Sequence, residues 1–477
     1  MGSNSREVSH FICTVPEDRK EYTLEIRRIV NRFFGEDAKI IQTKCPSGAQ
    51  KFEVQLPVQD DPEALELRVK KLHNLCRIKV HALGWKLGPS PKSGLPVKDR
   101  PDTIRIENIP KAYTIEQVQD IVEKDFGSKP RIHSLALSTE DYLCATVTFP
   151  DEECGFPLEK LQKLKHLSHP DAPKIAYDAD FLHFTTLYNA SPKSSEVHVD
   201  IVAVVGLGTH AFGTFRSMVP GSYKMWLRDF LPKDIPESRI LLYGYPSPVS
   251  GAKSVEIIED IARVFLDRLA FLRKNTSTLD RPIIFIGQSL GGLIVQQALL
   301  QAGNSCDQNE LGILRYWHGL VGFGIPIAGL DNPSLMKTVK AQPNKDLIRQ
   351  ICLDEDGTPS HYLRNLKKQF EECCKEKGRY TYAPELTYFW ETFYSRPRHG
   401  NGIDLQDRVM VPSMGIQGAK SLVVHADHSG MVKYDEESNV IYKDVKNKIR
   451  VMVDNLGERE RDVSKAGTSE ASLNISL

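Results

Sequence analysis

The sequence predicts an α/β protein with a doubly wound, mostly parallel sheet, preceded by two smaller units. Three observations lead to this fold class. From residue 197 onward, apolar segments of strand length alternate with amphipathic helical segments, which is typical of a parallel sheet covered by helices. Within that region a serine stands between glycines where a strand meets a helix. Before it, the order βαββαβ occurs twice in roughly the first 190 residues.

The two N-terminal copies share this order of elements. The first copy, residues 1–88, has predicted strands in HFICTVP, AKIIQTK, KFEVQLPV and IKVHALGWK, with two predicted helices in YTLEIRRIVNRFFG and DPEALELRVKKLHNLC. The second copy, residues 100–188, follows a linker rich in Gly, Pro, Ser and Lys, and Thr114 with Gln117 predicts a capping box at its first helix. Both copies are therefore predicted to be ferredoxin-like units.

The same order also occurs in the RNA-recognition motif, which stacks bases on aromatic side chains of its third strand. In the second copy, Leu143, Cys144 and Thr146 stand where that motif has glycine and two stacking rings, and AQKFEVQL in the first copy also lacks the pattern. The chain has 62 Lys plus Arg and 62 Asp plus Glu, so no net charge attracts a polyanion. Nucleic acid is therefore not an expected partner, and a protein-contacting or packing role is expected for both units.

Residues 195–455 contain a sequence motif that is typical of a serine nucleophile. Ser289 lies in G-x-S-x-G, between the apolar strand PIIFIG and the helical segment GGLIVQQALLQAG. In α/β-hydrolases this setting holds the serine on a strained turn at the carboxyl edge of the sheet. Gly287 and Gly291 fit this turn, because side chains there would collide with the neighbouring strand or helix. We therefore predict an α/β-hydrolase domain with Ser289 as its nucleophile.

A serine nucleophile requires donors for the oxyanion that forms on its substrate. One predicted donor is the backbone N–H of Leu290, which follows the nucleophile, and the other is that of Leu207 in the glycine-rich turn VVGLGTH. The alternatives for that turn are a plain tight loop or a nucleotide loop. The stretch GLGTHAFGTF lacks the third glycine of G-x-G-x-x-G, so no nucleotide is expected there. No other cofactor and no metal are expected for the chain.

The chain order of this fold places an acid and then a histidine after the serine. In SLVVHADHSGMVKY, His428 lies in the polar turn beyond the strand, whereas His425 lies at the strand end and is expected to be packed. The preferred acid is Glu391, at the end of an apolar run. Asp404 and Asp407 in the following loop remain alternatives, and Asp427 adjoins His428 too closely to be a good partner.

Several of these segments resemble the serine-active-site α/β-hydrolases of fungi. The resemblance covers residues 181–452 and lies in VDIVAVVGLGTHAFGTF, RPIIFIGQSLGGLIVQQAL, YFWETF and ADHSGMVKY. Such lipase-like domains are often fused ahead of NACHT modules, and their relatives include the mitochondrial serine-active-site-containing protein and GPI-inositol deacylases. The resemblance implies an intracellular serine esterase or lipase with Ser289, Glu391 and His428 at the family's triad positions.

The sequence departs from that family in three places. Val205 stands where the family commonly has the histidine of His-Gly-Leu, Gln288 stands where a histidine usually precedes the serine, and Ala328 stands where an arginine follows a proline. These departures concern substrate preference and activity, since each triad position is kept.

Between IAGLDNP and the Glu391 strand lie about fifty residues. They are predicted to form two helices that cover the site as a lid. Their apolar residues either line an acyl pocket or pack into the core: Leu335, Met336, Val339, Leu347, Ile348, Leu363, Leu366 and Phe370.

The remaining features bear on the setting of the protein. Nine cysteines without CxxC spacing and a polar start without an apolar leader indicate a reduced, cytoplasmic location. No apolar run reaches about 20 residues, the length of a membrane span. Residues 456–477 are small and polar, and a disordered tail is predicted there.

Two interpretations of function follow from the sequence. The preferred one is a serine esterase or lipase-like hydrolase acting on an acyl ester, with a lipid-like ester as the expected substrate. The alternative is a weakly active or inactive hydrolase-fold signalling module, whose N-terminal units bind a protein partner.

Overall fold

The computed structural model describes residues 103–149, 161, 175–190, 199–219, 222–376, 378–393 and 415–473, and four strands in the first 94 residues. For those four strands and for residues 333–334 and 457–473 it describes the backbone alone. The chain divides into two compact units, residues 1–94 and 95–477.

In the first compact unit, the described strands form one antiparallel sheet in the order β2-β3-β1-β4. This is the strand order that a ferredoxin-like βαββαβ chain produces. The two predicted helices, in residues 22–35 and 61–76, lie outside the described residues, so the ferredoxin-like assignment stays a prediction. The strands are β1 His10–Val15, β2 Lys39–Lys44, β3 Gln50–Gln55 and β4 Lys79–Ala82.

A second four-stranded sheet opens the second compact unit, in the equivalent order β6-β7-β5-β8. Helix α1 follows β5, and its start is the predicted capping box: Gln117 N–H donates to Thr114 Oγ1, and Gln117 Oε1 accepts from Thr114 N–H. The second predicted helix is described only at Leu161, so this unit also stays a ferredoxin-like prediction. The elements are β5 Ile104–Pro110, α1 Ile115–Phe126, β6 Arg131–Leu137, β7 Tyr142–Thr148 and β8 Ala176–Asp178.

The large sheet has seven strands in the order β15-β14-β13-β12-β10-β11-β9. Every pair is parallel except β11 with β9. Each residue of β10, β11, β12 and β13 is buried, so both faces of these strands are covered, as their continuous apolar sequences predict. The strands are β9 His183–Asn189, β10 Val199–Val204, β11 Ser238–Gly244, β12 Ile283–Gln288, β13 Trp317–Phe323, β14 Glu385–Glu391 and β15 Lys420–Val424.

The order of these strands creates a topological switch point. After β10 the chain crosses to β11 on one side, and after β12 it crosses to β13 on the other. The loops beyond the carboxyl ends of β10 and β12 therefore diverge and leave a crevice, where open α/β sheets bind their ligands. The helices are α2 Ala211–Phe215, α3 Trp226–Asp229, α4 Leu231–Asp234, α5 Ile258–Asn275, α6 Leu290–Gly303, α7 Gln308–Arg315, α8 Pro333–Val339, α9 Lys345–Ile351, α10 His361–Lys375 and α11 Val440–Leu473, with a 3-10 turn at Gly430–Val432.

Strand β9 belongs to the large sheet, although the sequence placed residues 183–188 in the second N-terminal unit. The small sheet packs against this strand. Arg105 on β5 donates from Nη1 to the carbonyl oxygen of Leu182 at 3.0 Å and to Thr185 Oγ1 at 2.8 Å. Arg228 donates to Thr146 Oγ1 at 3.3 Å, and Thr146 is fully buried. The sheet face that would stack bases in an RNA-recognition motif is thus covered here.

The segment predicted as a two-helix lid forms three helices, α8, α9 and α10. Seven of its eight candidate pocket residues are at most 4% exposed and belong to the core, and Met336 packs against it. Phe370, for example, lies 5.6 Å from the ring of Trp317. The apolar stripe therefore serves packing, because burying it against the sheet removes more apolar surface from water than lining a cleft would.

The backbone of the last helix, α11, continues to Leu473. The segment predicted as a disordered tail is therefore helical through most of its length. Adding a residue to an existing helix needs no new nucleation, and the start of α11 is held by packing, with Tyr442 and Ile449 fully buried. In the part of the chain that the structure describes, no helix is long and apolar enough to span a bilayer.

A buried charge cluster lies at the amino-terminal end of the sheet, opposite the crevice. Asp200, at the start of β10, is fully buried and pairs with Arg239 and Arg273, each at 2.6 Å, and with Arg281 at 3.1 Å. Burial alone would raise the pKa of Asp200, but the three guanidinium groups outweigh it and lower that pKa. Arg273 shares this one carboxylate, and burial lowers its pKa to about 10.

Replacing Asp200 should destabilise the fold strongly. Asp200→Asn leaves three guanidinium groups without a counter-charge, two of them buried, and breaking a buried pair typically costs about 3–5 kcal/mol. The matched control is Asp346→Asn, whose pair with Arg349 is exposed and should contribute about 0–1 kcal/mol. The measurement is the free energy of unfolding in urea, and equal effects of the two substitutions would contradict the assignment.

His133 on β6 faces Tyr223 and Arg228, at the start of helix α3. We predict that this junction between the small sheet and α3 is sensitive to acid. Burial, and then the positive charge of Arg228, lower the pKa of His133 to about 4, against about 6.5 in an unfolded chain. The unfolded state therefore binds the proton more readily, and stability should fall as pH falls from about 6.5 to about 4.

The test of this prediction is the thermal unfolding midpoint between pH 7 and pH 4. The midpoint of His133→Gln should decline less steeply than that of the wild type, and the control His361→Gln, at an exposed histidine on α10, should follow the wild type. Parallel curves for His133→Gln and the wild type would refute the prediction.

Candidate functional site

The turn at Ser289 joins β12 to α6 in the strained conformation that the sequence predicts. Ser289 has φ 53° and ψ −126°, a region that residues other than glycine rarely adopt. Its N–H donates to the carbonyl oxygen of Phe323 at 2.8 Å, and its own carbonyl oxygen accepts from Gly292 N–H at 3.0 Å. The backbone around the serine is thus fixed from both sides.

The two predicted glycines make this turn possible. A Cβ on Gly287 would lie 2.6 Å from Gly292 Cα, and a Cβ on Gly291 would lie 2.3 Å from the carbonyl oxygen of Val204. Both neighbours are backbone atoms, which cannot swing aside as a side chain can. The strand, the turn and the helix therefore approach one another as closely as glycine alone allows.

The loop after β10 lies directly against the serine. A Cβ on Gly206 would lie 2.8 Å from Ser289 Cβ. Gly208, with φ 65°, donates its N–H to the carbonyl oxygen of Ser247 at 2.8 Å. Leu207 is held between these glycines. Among the described residues, neither the N–H of Leu207 nor that of Leu290 donates a hydrogen bond, so both remain available as donors.

The structure brings Glu391 and His428 together from the ends of neighbouring strands. Glu391 is the last residue of β14 and its side chain is 1% exposed, whereas His428 lies in the turn after β15. His428 Nδ1 lies 2.9 Å from Glu391 Oε1. A carboxylate accepts the proton on Nδ1, which leaves the lone pair on Nε2. Gly324 makes room for the pair, since a Cβ there would lie 2.6 Å from His428 Nδ1.

The other candidates for base and acid differ in their positions. His425 is exposed, not packed as expected, and its Nδ1 lies 3.3 Å from Thr392 Oγ1. Asp427 Oδ1 accepts from Gly430 N–H at 2.6 Å and closes the turn below His428. Asp404 and Asp407 lie outside the described residues.

Sequence reasoning noted Gln288 only as a departure from the family pattern. In the structure its side chain is buried, and its Nε2 lies 3.3 Å from His428 Nε2. The signal that could have revealed this contact is the position of Gln288 directly before Ser289. The distance between the two side chains depends on how the turn after β15 folds back over β12, which a linear sequence does not show.

The strand order, the switch point and the strained serine turn define an α/β-hydrolase fold. No protein-family model matches the chain. Among curated proteins, the chain is 25% identical over 199 residues to Protein SERAC1 of Mus musculus, a match that covers 39% of this chain and 30% of that protein. Protein SERAC1 of Homo sapiens is 22% identical over 199 residues, with the same coverage. The matched segment thus spans less than a third of these relatives.

Several solved structures are also similar, with low TM-scores and low sequence identity. A lipase-esterase related protein from Clostridium acetobutylicum is 13% identical with a TM-score of 0.31, covering 57% of this chain and 99% of that chain. A monoglyceride lipase variant from Saccharomyces cerevisiae is 13% identical with a TM-score of 0.33, covering 57% and 91%. The fold assignment rests on the strand order and the serine turn themselves.

Replacing Gly291, the second glycine of the Ser289 turn, should prevent correct folding of that turn. Gly291→Ala would bring Cβ to 2.3 Å from one backbone oxygen, so the helix must move away from β10. The matched control is Gly312→Ala in helix α7, where the nearest atom to a Cβ would be 3.7 Å away and alanine favours the helix by about 1 kcal/mol. We expect a lower thermal midpoint for the first variant and an unchanged or higher one for the second. The same midpoint for both would contradict the close approach.

Proposed function

We propose that the chain is a serine hydrolase that cleaves a carboxylic ester, with Ser289 as nucleophile, His428 as general base and Glu391 as the acid that orients it. The observation that carries the proposal is the 2.9 Å contact between His428 Nδ1 and the buried Glu391 carboxylate, at the sheet edge where the strained Ser289 turn lies.

The first step is attack on the acyl carbon. Ser289 Oγ forms a bond to that carbon while His428 Nε2 takes the hydroxyl proton. The buried carboxylate of Glu391 keeps the other ring proton on Nδ1 and stabilises the imidazolium that forms. A carboxylate with 1% exposure has little water to weaken this interaction.

The second requirement is stabilisation of the negative oxygen. The N–H of Leu290 stands at the start of the 14-residue helix α6, where the helix dipole favours a negative charge. The N–H of Leu207 is the second proposed donor, held beside the serine by the flanking glycines. Fixed donors of this kind need not reorient during the reaction.

The reaction then completes in three proton transfers. Imidazolium His428 gives its proton to the leaving alkoxide, and the alcohol departs from the acyl-enzyme. Water then attacks the acyl carbon while His428 takes one of its protons. The bond between the acyl carbon and Ser289 Oγ breaks as His428 returns that proton to Oγ, which releases the carboxylic acid and the free serine. The scheme needs no cofactor. The lipid-like ester is the substrate class that the family resemblance implies. Seven of the eight apolar residues of the lid segment are buried in the core, so the lid segment is not proposed as the acyl pocket.

A fluorophosphonate probe followed by p-nitrophenyl esters of rising chain length tests this proposal. Ser289→Ala and His428→Ala should abolish labelling. Glu391→Gln should lower kcat by roughly 10³–10⁴-fold, because the imidazole loses its orienting charge. The matched control for His428→Ala is His425→Ala, a neighbouring exposed histidine, which should keep the wild-type rate.

Two outcomes would overturn parts of the proposal. Full activity of Glu391→Gln with loss in Asp404→Asn or Asp407→Asn would move the acid to that aspartate. A wild-type chain that neither binds the probe nor cleaves any ester would favour the non-catalytic signalling module.

A further inference from the structure

Gln288 lies between the loop after β10 and the imidazole of His428. It is the last residue of β12, directly before Ser289, and it is 3% exposed. Its Nε2 lies 3.3 Å from His428 Nε2. On the other side, a Cβ on Gly206 would lie 2.3 Å from Gln288 Oε1. The amide thus contacts both the proposed base, His428, and the loop after β10, which carries the proposed oxyanion donor Leu207.

The contact occupies the nitrogen that the reaction needs. Because Nδ1–H of His428 donates to Glu391, the sole lone pair in the ring plane is on Nε2. The amide N–H of Gln288 donates to that lone pair. Ser289 Oγ must donate to the same lone pair before it can attack. Among the described residues no hydrogen bond joins Ser289 to His428. In the structure the proposed base is therefore hydrogen-bonded to Gln288 and not to Ser289.

The amide is not needed to select the tautomer of His428. Glu391 already does so through a charge-assisted bond, which is roughly twice as strong as a neutral one. The effect of Gln288 therefore falls on the availability of Nε2. The 3.3 Å between the two nitrogen atoms exceeds the 2.9–3.0 Å that is usual between donor and acceptor in an N–H···O hydrogen bond. The other end of the amide, Gln288 Oε1, is buried and accepts no hydrogen bond within the described residues. The amide is thus fixed by one long hydrogen bond, which an incoming group can break.

We propose that Gln288 is a positioning residue that occupies His428 Nε2 in the resting site and releases it to Ser289 when an acyl group enters. This inference rests on the proposed hydrolase function. The carbonyl oxygen of an incoming substrate would bind at Leu207, in the same loop that the Gln288 amide contacts. Substrate binding at this loop would therefore displace the amide and release His428. An empty site would then hold its serine in a less reactive state.

The primary test is the second-order rate of fluorophosphonate labelling in Gln288→Met, which keeps the volume and removes the donor. Without the competing bond the rate should rise about two- to tenfold, the range expected from losing one neutral hydrogen bond. Gln288→Asn, with an amide too short to reach Nε2, should behave likewise. The matched control is Gln296→Met, another buried glutamine, whose amide donates to Tyr388 and should leave the rate unchanged.

A spectroscopic signature separates this role from a purely structural one. In protein with ¹⁵N-labelled histidine, the Nε2 resonance of His428, assigned by its loss in His428→Ala, should shift in both Gln288 variants and not in Gln296→Met. An unchanged or lower labelling rate in both Gln288 variants, or an unshifted resonance, would overturn the proposal.

The same design distinguishes failure of this inference from failure of the proposed function. If the wild type and both variants resist the probe, the hydrolase proposal fails, and with it the assigned role of releasing the base. If the wild type labels and the Gln288 variants label no faster, the hydrolase proposal stands and this inference is wrong.

Discussion

The arrangement of the site depends on one close approach of backbone to backbone. Helix α6 lies so near β10 that its second residue, Gly291, has no room for a side chain beside the carbonyl oxygen of Val204. A larger separation would relax the turn at Ser289 and withdraw the helix start from the loop after β10. The strained serine and the positions of the two available N–H groups depend on this contact, because each is attached to one of the two elements.

The parallel register extends this arrangement to the other proposed residues. Glu391 pairs with Val424 across β14 and β15, so the chain that leaves β15 starts level with the carboxylate. Four residues later His428 folds back and places Nδ1 beside it. Gln288 and His428, which are 140 residues apart, likewise meet because parallel strands all end at the same edge. At the opposite edge, Asp200 and its arginines neutralise charge in a region that carries no proposed chemistry.

Much of this could be predicted from residue patterns. Continuous apolar runs predicted β10, β12 and β13, because strands buried on both faces have no polar alternation, and the Ser289 turn followed from glycine spacing. The pairing of Glu391 with His428 was an expectation from chain order, and the structure places the two in contact. Their catalytic roles remain a proposal, and the rivals Asp404 and Asp407 lie outside the described residues.

Other features could not be predicted, for physical reasons. The apolar stripe of the segment between β13 and β14 is the same whether it lines a cleft or packs in the core, so periodicity alone could not distinguish the two. Strand β9 follows a small sheet in sequence but joins a large one, a choice made by its antiparallel pairing with β11. The contact of Gln288 with His428 depends on the path of a turn 140 residues away.

Strand β15 has a consequence for how the arrangement of the site would come apart. In the described part of the chain it pairs with β14 alone, and of its five residues one, Val424, is buried. Ser289, by contrast, follows a strand buried along its whole length. Regions with few buried contacts open locally at lower free energy than the core. Under mild denaturation His428 would therefore move away from Ser289 before the sheet melts, and the proposed catalytic arrangement would be lost before the folded state.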